Sequence, residues 1–125
     1  MAEYRVDRGY LDDFDATIPY GEHGEWLVEI RALIWCYRGQ VRFFEIGLWA
    51  IGDEHRYEVA SIDCCDSSIH IHRLKRSAPT DRQADRRTIV ALTANDHAIV
   101  DREYQVQLDW MDEQWPALLR SWDDI

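Results

Sequence analysis

Lysine is almost missing from this chain. Lys75 stands alone against thirteen arginines, a coding bias without mechanistic content. Cysteine is scarce and odd in number: Cys36, Cys64 and Cys65 have the spacing of neither a disulfide framework nor a zinc site, which leaves reduced thiols. Adjacent strand residues face opposite ways, so Cys64 and Cys65 cannot easily grip one metal. Apolar runs are short, and none approaches the roughly 18 residues that a membrane helix requires. The charged start, MAEYRVDRGYLDDFD, lacks the basic-then-apolar order of a secretory leader, so the expected location is cytoplasmic, with no membrane contact. A Gly-rich phosphate loop, a nucleophile elbow, familiar Cys–His flanks and a helix-turn-helix signature are all missing. Internal repeats, low-complexity tracts and interdomain linkers are missing too.

What is present suits one folded unit. A length of 125 residues, with six Trp, six Tyr and three Phe, supplies one core of ordinary size without a metal or disulfide framework. The formal charge of -10 is uneven. Residues 1–25 and 101–125 each carry seven acids against two bases, whereas residues 26–100 are balanced. Within that middle lies a basic segment formed by Arg73, Lys75, Arg76, Arg82, Arg86 and Arg87. An acidic whole disfavours broad nucleic-acid affinity and leaves room for a local anion site.

Hydrophobic periodicity predicts an α+β domain spanning residues 1–125: an antiparallel β-meander of four to six strands packed against one long C-terminal amphipathic helix. Residues 1–24 read as an acidic N-terminal arm that includes a short strand, EYRVDRGY. Residues 25–92 read as the sheet. Period-two alternation marks strands at 25–37, 41–51, 57–65, 69–75 and 88–92, with turns at Arg38-Gly39-Gln40, at 52–55 and at Asp66-Ser67-Ser68. Residues 77–87 are polar and aperiodic and are expected to form a surface loop. Thr93 to Asp96 fits an acidic capping box that opens a helix over 95–122. Val100, Tyr104, Leu108, Met111, Trp115, Leu118 and Trp122 form its stripe, and Pro116 is expected to kink it or to start a new short helix.

Chemistry concentrates in RYEVASIDCCDSSIHIHRLKR, residues 56–76. His70 and His72 project to one strand face about 7 Å apart. No cofactor and no metal are expected, because two histidines fall short of a zinc set and a third ligand from Asp63, His55 or His23 has no supporting spacing. Two near-neutral imidazoles do suit acid–base cleavage of RNA, one taking a proton from a ribose hydroxyl and the other giving one to the leaving oxygen. In that reading His70, His72 and Asp63 are catalytic with Arg76 on the phosphate, because alternation turns Arg73 and Lys75 to the opposite face.

The segments HGEWLVEIRALIW, FFEIGLWAIG and YEVASIDCCDSSIHIHRLKRS, with a closing helix that carries W-x6-W, resemble small uncharacterised proteins of actinobacteria and their phages. More remotely, the order of meander, Asp-bearing strand, histidine-bearing strand and last helix is similar to the TumE-like ribonuclease toxins, whose histidine cluster is denser than His70-Ile-His72. The acidic termini and an aromatic count above what one small core takes in point to a non-enzymatic protein-interaction module, of the kind a phage directs at a host protein, with a toxin-like metal-independent endoribonuclease as the alternative. Candidate binding residues are Arg73, Lys75, Arg82, Arg86, Arg87, Trp35 and Tyr37. The expected partner is another protein or a second copy in a homodimer, with RNA only in the alternative. Leu33, Trp35 and Tyr37 beside Phe44, Ile46 and Leu48 suggest a second apolar sheet face that needs a lid, either the arm with Leu11, Phe14, Ile18 and Tyr20 or a partner.

Overall fold

Six antiparallel strands run in sequence order across one sheet: β1 (Asp12–His23), β2 (Trp26–Tyr37), β3 (Gln40–Ile51), β4 (Arg56–Cys65), β5 (Ser68–Arg73) and β6 (Arg86–Ala91), followed by helix α1 (His97–Asp123). The computed structural model describes residues 3–6 and 11–124. The α+β meander and its single C-terminal helix match the alternation and the helical stripe in the sequence. No helix among the described residues is long and apolar enough to cross a membrane.

Hairpin geometry follows from turn chemistry. Arg38 and Gly39 have φ of 50° and 79°, and Asp66 and Ser67 have φ of 54° and 55°, the paired left-handed residues that two-residue hairpins demand. At the second turn two side-chain-bearing residues hold this conformation. Backbone bonds help to fix it, because Leu92 N–H donates to Ser67 O at 2.8 Å and Tyr4 N–H donates to Ser67 Oγ at 3.1 Å.

The core lies between the sheet and α1. Val28, Ile30, Phe44, Ile46, Leu48, Ile62 and Ile69 are fully buried there with Val100, Met111 and Trp122 of the helix. The helical stripe holds, with Gln107 also buried and with Tyr104, Leu108 and Trp115 only partly so. The helix passes through Pro116 without ending. The cap is half of the expected box: Asp96 Oδ2 accepts from Thr93 N–H at 2.6 Å, but Asp96 is the N-cap and makes no side-chain cap bond of its own.

Four expectations need correction. Ile34, Ala32 and Ile30 lie directly opposite Phe44, Ile46 and Leu48, so these last three share the helix face, and Leu33 and Trp35 stand opposite Glu45 and Phe43 instead. The arm is no lid either, because residues 12–23 form β1 at the sheet edge. Of the short strand expected over 3–10, residues 3–6 have no regular structure, although Tyr4 is buried and stacks edge-on against His97. Residues 7–10 lie outside the described residues. Finally, β6 begins at Arg86, so Arg86 and Arg87 belong to a strand.

Candidate functional site: a buried cluster on the face away from the helix

The alternation that sends Ile62, Ile69 and Ile71 into the apolar core sends Ser61, Asp63, His70 and His72 to the opposite face. Register brings them together, because Asp63 pairs with His70 and Ser61 with His72. All four are buried, with His70 at 2% and His72 and Asp63 at 5% exposure. Arg82, in the segment that follows β5, reaches the cluster: His72 Nδ1 bonds Arg82 O at 2.7 Å.

The distances are short. His70 Nε2 lies 2.7 Å from Asp63 Oδ1, and His72 Nε2 lies 3.8 Å from Asp63 Oδ2. The closer approach lacks hydrogen-bond direction, so Oδ1 is buried with no aligned donor. The two imidazoles meet edge to face, with ring centroids 4.7 Å apart. Ser68 Oγ sits 3.1 Å from His70 Nδ1 and donates to Cys65 O at 3.2 Å. Arg82 reaches in with its guanidinium, pairing with Glu58, donating to Ser61 Oγ at 2.8 Å and lying 3.8 Å from Asp63 Oδ2. Arg86 lies 3.4 Å from His70 Nδ1 and 3.6 Å from Asp66.

Burial governs the ionisation. His70 is held below its ordinary value, mainly because burial penalises imidazolium, with Arg86 and His72 adding to the effect and Asp63 opposing it. Glu45, opposite Asp63 on β3, is pushed up by burial and then by the carboxylates of Asp63 and Glu58. The Cys65 thiol is pushed up to about 11 by burial and by Asp63, so it is a poor nucleophile at neutral pH.

Of the residues assigned to catalysis from the sequence, His70, His72 and Asp63 converge and Arg76 does not. β5 ends at Arg73, a bridge between Lys75 and Ala78 follows, and the chain no longer alternates. Arg76 instead pairs with Asp123 at 2.6 Å and Glu25 at 3.3 Å, and lies over the Trp26 ring at 4.9 Å. Arg82 stands where Arg76 was expected. Glu58 escaped the sequence reading for a related reason. The β3–β4 register shifts between Leu48 and Trp49, so Trp49 opposes Glu58 although Leu48 opposes Ala60. This irregularity puts Glu58 on the same face as Asp63, against strict alternation. The Gly at position 47, opposite Ser61, leaves room for the Trp49 indole: a Cβ there would meet Nε1 at 2.8 Å.

The candidate binding residues do not form one basic patch. Lys75 Nζ donates to Ser121 O at the end of α1, and Arg87 pairs with Asp85. Arg73 and Arg87 line a cleft of about 350 Å³ with Gln107 and Trp110. A second cleft, of about 460 Å³, is lined by Trp49, Leu74, Pro79 and Thr80 and shares Glu58 and Arg82 with the histidine cluster. Trp35 stacks on Phe43 at 4.1 Å, and Tyr37 is exposed between the guanidiniums of Arg38 and Arg42. No family model, curated protein or solved structure matches this chain.

Proposed function

We propose that this chain is a non-enzymatic interaction module whose contact surface is the outer strand β1, and that its partner offers a basic, extended segment to that strand. The observation that carries this reading is the exposure of β1. Twelve residues stand at the sheet edge with no strand beyond them among the described residues, and Phe14 and Ile18 are 54% and 37% exposed beside Asp12 and Asp15. An open edge offers backbone donors and acceptors to an added strand, and alternate side chains select it. The acids discourage pairing of β1 with its own copy, because like charges would face each other across the new ladder, and they favour a Lys- or Arg-bearing strand. Pro19 and the register shift beside it limit docking to residues 12–18.

The test is an amide NMR titration of the whole chain with a synthetic peptide alternating Arg and Val, and with its Glu counterpart. Shifts confined to 12–18, weakened by salt and lost in Asp12→Lys/Asp15→Lys, support the reading. No response in β1, or an equal response to the acidic peptide, overturns it. Ultracentrifugation reads the competing homodimer.

The convergence of Asp63, His70 and His72 beside Arg82 favours a second reading, RNA cleavage by paired imidazoles. Their burial counts against it, since a phosphodiester must reach both rings. RNA cleavage that is lost in both His70→Ala and His72→Ala supports this reading. Equal cleavage by wild type and variants, or none by any, removes it.

A further inference from the structure

Two imidazoles and one carboxylate, all buried, present their ligand atoms within 4.8 Å of one another. We propose that Asp63, His70 and His72 bind one divalent transition ion of the zinc class. This goes beyond the interaction reading and stands or falls independently of it.

The hydrogen bonds around the cluster orient the rings. His72 Nδ1 faces a carbonyl, Arg82 O, at 2.7 Å, so that nitrogen carries the proton and Nε2 is a lone pair on the side of the Asp63 carboxylate. An outer nitrogen bonded to a carbonyl is the arrangement that orients metal-ligating histidines. His70 Nδ1 has the Ser68 hydroxyl at 3.1 Å and the Arg86 guanidinium, which can only donate, at 3.4 Å. His70 Nε2 is 2.7 Å from Asp63 Oδ1, an oxygen with no aligned donor. A proton or a metal ion between those two atoms satisfies both.

Size and charge agree. Ligands at zinc distances in a tetrahedral site stand about 3.4 Å apart, between the observed 2.7 and 3.8 Å contacts. Around the cluster the carboxylates of Glu45, Glu58, Asp63 and Asp66 face the guanidiniums of Arg82 and Arg86. Four carboxylates against two guanidiniums favour a cation at this place. Imidazole nitrogens with one carboxylate select zinc and its neighbours over magnesium or calcium. The Arg82 guanidinium, 3.8 Å from Oδ2, stays on the outer side of the carboxylate. The remaining coordination position falls to water, as is usual with three protein ligands.

The whole chain, stripped with EDTA and dialysed, is titrated with zinc chloride by calorimetry and with cobalt(II) by absorption. One ion per chain, a raised Tm and cobalt d–d bands of a four- or five-coordinate site are expected. Affinity should fall at least about tenfold in His72→Gln and in Asp63→Asn, and remain unchanged in His23→Gln. If the cluster variants do not fold, ring nitrogen shifts of the wild-type histidines decide. Movement at His70 and His72 on adding zinc supports the site, and movement confined to His23 or His55 overturns it. Absence of stoichiometric binding to the wild type also overturns it, leaving a proton-shared His70–Asp63 pair only, as does undiminished affinity in a folded His72→Gln.

Discussion

On one side of β4 and β5 stand Ile62, Ile69 and Ile71, and on the other Asp63, His70 and His72; all six are buried. Similar burial has different physical consequences. The apolar side needs only shape, which α1 supplies, and packing of isoleucine against a helix is indifferent to direction. Every buried polar atom on the other side needs a partner. Arg82, Glu58, Ser61 and Ser68 are the partners, and they arrive through a loop, a bulge and a turn. The helix face is therefore held by area and the opposite face by matching.

The largest effect should come from the apolar side. Trp122 is 1% exposed and packs edge-on against Trp26 with ring centroids 5.2 Å apart. Trp122→Ala is expected to cost about 4 kcal/mol, read by urea denaturation. A loss below about 1 kcal/mol would break the claim that area holds this face.

Breaking the matched face should cost slightly less. Asp63→Ala removes the group nearest His70 and one of the carboxylates that face the Arg82 guanidinium. A loss of about 3 kcal/mol is expected in EDTA, with proteolysis within residues 74–85 increased because their seat is lost. Unchanged protease resistance would separate the loop from the cluster.

Trp115 sharpens the contrast within α1. The spacing of the stripe makes it the equal of Trp122, yet it is only partly buried and packs on Tyr20 and His23 of β1, with centroids 5.0 and 4.5 Å away. Trp115→Ala is expected to cost about 2 kcal/mol, roughly half the Trp122 effect, with the β1 amides exchanging faster.

The smallest effect is acid sensitivity. His97 and His70 are both held below the ordinary value of 6.5, first by burial, with Arg42 adding at His97 and Arg86 at His70. The unfolded chain therefore takes up protons first as pH falls, so stability is present above about 6.5 and lost progressively below it. Tm in EDTA should fall between pH 7.5 and 5.5, and His97→Gln should remove part of that fall. The remainder belongs to the polar face. A pH-independent Tm would mean that neither imidazole is held neutral by its surroundings.

The strands from β2 to β5, the long helix and its buried stripe were legible because they depend on local period and on turn residues such as Gly39 and Asp66, whereas β1 was not, because Pro19, Gly21 and Gly24 read as irregular backbone. The pairing of His70 with His72 on one face was legible for the same reason, and Asp63 fell within the same stretch. Glu58 was not, and Arg82 was expected only as a basic binding residue, not beside the histidines. Arg82 lies in an aperiodic segment whose path is set only by docking, and Glu58 lies beyond a register shift that alternation does not announce. Arg76 failed conversely, because alternation was carried past the end of β5.

The sequence by itself determined the elements from β2 onward, their order and which residues alternate, since these follow from backbone periodicities of two and 3.6 acting within a few residues. Tertiary structure alone decided which face each strand pair shares, where β1 stands, and which guanidinium meets the Asp63 carboxylate. Those outcomes depend on register and on loop docking between residues tens of positions apart, such as Glu58 with Arg82 and Asp101 with the Val41 amide. Their energies arise only once the chain has closed on itself.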